Sequence, residues 1–120
     1  ILGIAMDKQQ AKKEYLQTRR PMGVYLIRNT RNGKSYIGSS TDLPARINRH
    51  KTELKFGSHR NAELLDAWKL SGGASLEFEI LDELAPPENP NTDLQEELRT
   101  LSDMWIGKLE EAGHIVEGLL

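Results

Sequence analysis

The chain has 120 residues, 38% of them hydrophobic, which suits one domain with a modest core and excludes a second catalytic domain beside it. It has no cysteine, so disulfides, thiolate zinc sites and cysteine nucleophiles are ruled out, as a reducing compartment would permit. The net charge of −2 conceals a split: residues 1–61 carry 13 Lys/Arg against 4 Asp/Glu, a net of +9, and residues 62–120 carry 3 against 14, a net of −11.

A basic half of this kind is the electrostatic footprint of a surface that follows phosphates, while the acidic half forms its back, repels wrong partners or meets the basic half of another copy. No apolar run approaches the ~20 residues of a membrane helix. The start ILGIAMDKQQ is too short and too poorly flanked for a signal peptide. The expectation is a soluble protein with no membrane partner, cytoplasmic or nucleoid-associated.

Residues 7–19 (DKQQAKKEYLQTR) favour a helix that ends before Pro21, with Tyr15 and Leu16 as weak anchors. Lys8, Lys12, Lys13, Arg19 and Arg20 suit an arm on nucleic acid or a solvated extension equally well. Next, GVYLIR (23–28) and KSYIGS (34–39) read as strands, and the Asn32-Gly33 pair between them is a hairpin signal. The period of two sets Tyr25 and Tyr36 on neighbouring strands, with Val24, Leu26 and Ile37 for the opposite face. On the strands alone, packing with hydroxyls at the rim explains both tyrosines.

A helix follows, capped by Thr41 or Asp42, with Pro44 in its first turn where a missing N–H costs little. Leu43, Ile47 and Leu54 form its buried stripe, and Arg46, His50 and Glu53 a polar stripe beside it. A guanidinium and an imidazole one turn apart suit a phosphate and a proton transfer near it, or a merely solvated face. A second helix over about 61–70 buries Leu64, Leu65 and Trp68 and stops at Ser71-Gly72-Gly73, with His59 and Asn61 at its entrance as site residues or simple caps.

Leu76–Leu81 alternates as a third strand, with Leu76, Phe78 and Ile80 inward and Glu77 and Glu79 outward, the two glutamates being a secondary metal candidate. Residues 85–91 (APPENPN) form a loop. Thr92 or Asp93 then caps a long helix to about Ala112, with Leu94, Leu98, Leu101, Trp105 and Leu109 on its apolar face. The order β-β-α-α-β-α predicts an α/β fold, a small three-stranded antiparallel sheet flanked by helices, over residues 22–120, with residues 1–21 as an N-terminal helical extension.

Gly23-Val24-Tyr25 and Tyr36-Ile37-Gly38, whose tyrosines stand 11 positions apart, followed by Arg46, His50, His59 and Asn61, resemble the GIY-YIG nuclease family, most of all the catalytic domains of phage intron homing endonucleases. The resemblance runs over about residues 22–117. It implies a metal-dependent endonuclease that hydrolyses phosphodiesters of DNA with one divalent ion, Mg²⁺ or Mn²⁺. Tyr25, alone or through His50, would deprotonate the attacking water, which requires a lowered pKa. Arg46 would neutralise charge on the phosphoryl oxygens, and Tyr36, His59 and Asn61 would position phosphate and water. Gly23 and Gly38 would serve close backbone packing.

The family pattern is broken at the metal. Family members carry a glutamate three residues before the tryptophan of the Trp-Ile pair, and that place holds Ser102, whose neutral hydroxyl is a poor ligand for a hard cation. The asparagine usual after the last helix falls close to Glu117. Three accounts stand: a relocated carboxylate (Asp103, Glu117 or Glu79), an inactivating replacement of an original glutamate, or a nuclease-dead reader of DNA. A further alternative is an interaction domain using the acidic half. In the resembling enzymes sequence specificity comes from an appended DNA-binding region, so address here would come from such a region or a partner protein.

Overall fold

The structure, a computed structural model, describes residues 21–119. The helix expected over residues 7–19 lies outside them.

Gly23–Asn29 (β1) and Ser35–Ser40 (β2) pair antiparallel, with Tyr25 opposite Gly38 and Ile27 opposite Tyr36. The connecting loop is tighter than its length suggests, because two asparagines fold back on it. Asn29 Oδ1 accepts from Arg31 N and Asn32 Oδ1 from Lys34 N, while Gly33 alone takes a positive φ of 74°. Asn32-Gly33 therefore works as an Asx turn plus a glycine rather than as a two-residue turn.

Leu43–Lys55 (α1) begins at Asp42, whose carboxylate accepts from Ala45 N, and Ala62–Ser71 (α2) begins at Asn61, whose side-chain oxygen accepts from Leu64 N. Gly72, at φ 65°, closes α2 in the left-handed conformation. Leu76–Glu83 (β3) runs two residues past the expected end and pairs antiparallel with β1. Leu94–Glu111 (α3) is capped by Asp93, which accepts from Gln95 N and Glu96 N.

A fourth strand, Val116–Gly118 (β4), was not anticipated and lies parallel to β2, so the three-stranded antiparallel sheet becomes a mixed sheet of order β3-β1-β2-β4. Ser35 N donates to Ile115 O and Leu119 N to Ile37 O, which zips this strand along β2. It escaped sequence reading because three residues carry too short a pattern to register.

The sheet divides the core in two. Tyr25, Ile27, Tyr36 and Leu76 pack under α1 and α2 with Leu43, Leu54, Leu64 and Ala67. Val24, Leu26 and Ile37 pack on the other face against Leu101, Trp105, Ile106 and Leu109 of α3. Both motif tyrosines thus face the α1/α2 layer, as the strand period predicts, and α3 covers the opposite side. A bulge at Val24/Tyr25 inserts Leu81 between the partners of those two residues.

Candidate active site

Tyr25 is 3% exposed, pointing from β1 toward α1, and its hydroxyl lies 2.6 Å from Nε2 of His50. His50 belongs to the inward face of α1 and is itself buried, closer to the core than a merely polar stripe would be. Its other nitrogen, Nδ1, is 2.8 Å from Nε2 of His59, and His59 Nδ1 accepts from Asn61 N at 3.0 Å. Four residues that the sequence singled out therefore form one hydrogen-bonded chain. Gly38 makes it possible: a Cβ there would overlap the Tyr25 ring and hydroxyl.

Burial dominates the electrostatics of this chain. It pushes the Tyr25 phenol up to about 12, with Arg46 acting in the opposite direction, and it lowers His50 to about 4, helped by the neighbouring His59 and Arg46. His59 is lowered too, again chiefly by burial. At neutral pH both imidazoles are neutral and the phenol keeps its proton.

Tyr36 belongs to a second, polar cluster. Its hydroxyl donates to Glu63 Oε2 at 2.5 Å, and Lys34 Nζ donates to the same oxygen at 2.6 Å. Lys34 also reaches Glu117 Oε1 at 3.7 Å, while Asn61 Nδ2 donates to Glu117 Oε2 at 3.2 Å. Burial and the Glu63 hydrogen bond both raise the Tyr36 pKa, so this phenol is a donor, not a base. Asn61 has all its polar groups engaged: the amide on His59, Oδ1 on the start of α2, Nδ2 on Glu117. Lys34 and Glu63 were not picked out from the sequence. Glu63 stands one turn into a helix as any surface glutamate does, and only the fold reveals that it lies beside Tyr36.

A cavity of about 460 Å³ opens at the histidines, lined by Arg46, Arg49 and Arg60 together with Glu53, Glu117 and Leu119. Arg46 makes no ion pair among the described residues and is only part-exposed, whereas Arg49 is tied to Glu53 at 3.4 Å. Such a guanidinium beside a neutral His–Tyr pair suits an anionic oxygen.

Ser102 lines an adjoining cavity of about 620 Å³ with Ser39, Arg99 and Asp103, and the two cavities share Gly118 and Leu119. Of the substitute carboxylates, Asp103 shares the Ser102 cavity and Glu117 the His50 cavity, already bonded to Asn61. Glu79 is exposed on β3 opposite Leu26, on the α3 side of the sheet and remote from both histidines. Among the described residues no three His, Asp or Glu side chains converge to hold a metal ion. The position that the resemblance gives to the metal is Ser102, and its neutral hydroxyl supplies none of the carboxylate charge a hard divalent cation needs, so that position does not fit one.

Comparison with known proteins bears on the family and the fold. The family model of the GIY-YIG catalytic domain matches residues 21–90. Intron-associated endonuclease 1 of Enterobacteria phage T4 is 37% identical over 62 residues, which is 52% of this chain but 25% of that protein, so the chain spans about a quarter of that relative's length. Among solved structures, a glutamate-to-alanine variant of the catalytic domain of intron endonuclease I-TevI superposes with a TM-score of 0.61 at 28% identity, covering 81% of this chain and 92% of that one. The catalytic domain of homing endonuclease I-TevI gives 0.59 at 26% identity, covering 82% and 98%. The two tripeptides, the α/β fold and the matched family model together place this chain in the GIY-YIG nuclease family.

Proposed function

We propose that this domain engages the backbone of DNA in the cavity beside His50 and is a phosphodiester hydrolase of the GIY-YIG type, held to slow turnover by the serine at 102. The observation that carries the reading is the 2.6 Å contact between Tyr25 and His50 at a cavity walled by three arginines. Arg46 supplies charge to a phosphoryl oxygen, and the Tyr25 hydroxyl orients the attacking water by hydrogen bonding. Hydrolysis requires that water lose a proton as its oxygen bonds phosphorus and the ester oxygen leaves. A phenol at about 12 is a poor base at neutral pH, since burial outweighs the pull of Arg46. Binding without efficient cleavage is the expected behaviour of the chain as it stands.

Supercoiled plasmid with Mg²⁺ or Mn²⁺ tests this. The native chain should bind DNA with affinity that falls steeply with salt and nick it slowly. Ser102→Glu should nick it at least tenfold faster, and Tyr25→Phe in that background should abolish the gain. Ser102 also favours a second reading, a DNA-binding module without chemistry. A Ser102→Glu protein that binds but never nicks would establish that alternative. Because the T4 relative is about four times longer than the matched portion, target choice is assigned to further segments or a partner protein.

A further inference from the structure

Asn61 gives the histidine chain a direction. Its backbone amide lies 3.0 Å from Nδ1 of His59, and an amide N–H only donates, so that ring nitrogen carries no proton. The single proton of neutral His59 therefore sits on Nε2, 2.8 Å from His50 Nδ1. His50 Nδ1 must then accept, which leaves the His50 proton on Nε2, 2.6 Å from the Tyr25 oxygen. Burial keeps both rings neutral, so neither has a second proton with which to reverse the order. Sequence reading assigned His59 to the phosphate and water; both its nitrogens are instead occupied by His50 and Asn61.

We propose that His59 is a positioning residue acting through His50: with the Asn61 amide it fixes the His50 tautomer, so that His50 donates to the Tyr25 oxygen and the phenolic hydrogen is directed away from the histidines. In this arrangement resting His50 does not take the Tyr25 proton. It donates to the phenol oxygen, and the phenolic hydrogen is left to hydrogen-bond the attacking water of the phosphodiester reading. The catalytic meaning rests on the phosphodiester reading; the tautomers themselves do not.

Long-range ¹H–¹⁵N spectra of the full chain at pH 7 read these tautomers directly. The expected result is the neutral Nε2–H pattern for both His50 and His59, with exposed His114 as internal reference. An Nδ1–H pattern or an imidazolium at His50 would overturn the proposal. His59→Ala should let His50 drift to a mixture of tautomers, and His59→Gln, whose side-chain amide can donate to Nδ1, should restore the Nε2–H form. An unchanged His50 signature in His59→Ala would show that Tyr25 alone selects it and would remove the role of His59. If the alanine variant does not fold, the native spectrum and the glutamine variant still decide. These spectra need no DNA: the expected tautomers in a Ser102→Glu protein that never nicks would leave this proposal standing and sink the nuclease reading.

Discussion

Gly38 faces Tyr25 across the β1–β2 ladder, and the phenol occupies the volume where a side chain at 38 would start. Gly38→Ala should therefore displace the phenol and break its contact with His50. Overpacking at a fully buried position costs about 1–3 kcal/mol, to be read in denaturant unfolding. Misplacement of a reacting group by about 1 Å should cost roughly 100-fold in nicking, read in the Ser102→Glu background. An alanine variant with native stability and native nicking would mean that the phenol has slack.

The burial of His50 makes stability depend on acid. His50 titrates at about 4 in the fold against 6.5 when unperturbed, so between these values the unfolded chain binds more protons and stability falls as pH falls. The contribution is intact above pH 6.5 and should shrink by about 3 kcal/mol on going to pH 4. Carboxylates titrate in part of the same range, so the measurement is the difference between the native chain and His50→Gln in urea unfolding at pH 7 and pH 4. Equal pH dependence in both proteins would place the effect elsewhere.

Tyr36 should be the last phenol of the site to ionise. Burial and the carboxylate of Glu63 both hold its proton, while Tyr25 lacks such a carboxylate and has Arg46 beside it. Ultraviolet titration, with Tyr25→Phe and Tyr36→Phe assigning the steps, should place Tyr36 above Tyr25. Glu63→Gln removes a negative charge and should bring Tyr36 down without moving Tyr25.

Arg46 tests the phosphate assignment. If it neutralises one phosphate, Arg46→Ala should weaken DNA binding about equally for unrelated sequences, and the slope of log affinity against log salt should become shallower by about 1. Fluorescence anisotropy at three salt concentrations measures both. An unchanged slope would remove Arg46 from the DNA contact.

The sequence carried the scaffold further than it carried the wiring. The strand period sorted Tyr25 and Tyr36 from Val24, Leu26 and Ile37, and the structure places them on those faces. Asp42, Asn61, Asp93 and Gly72 were readable as helix ends because each has a local job done within four residues of itself. The members of the histidine chain were singled out, but its hydrogen bonds were not readable, since they depend on the docking of α1 and the loop after it onto β1, between residues 25 positions apart. Lys34, Glu63 and Glu117 were invisible as a group for the same reason: they come from a turn, a helix start and a strand too short to show. Ser102 was visible as a change of chemistry, but its place in a cavity adjoining that of His50 was not.

The extra residue in β3 has an outcome for the motif that precedes it. Because Leu81 is looped out, Asp82 turns to the α3 side, where its carboxylate receives the indole N–H of Trp105 at 3.0 Å, and its carbonyl comes hard against Gly23. The first glycine of the motif is thus the socket for a neighbouring strand's kink. Shortening β3 by one residue would swing the acceptor away from the tryptophan and undo the reason for that glycine at the same stroke.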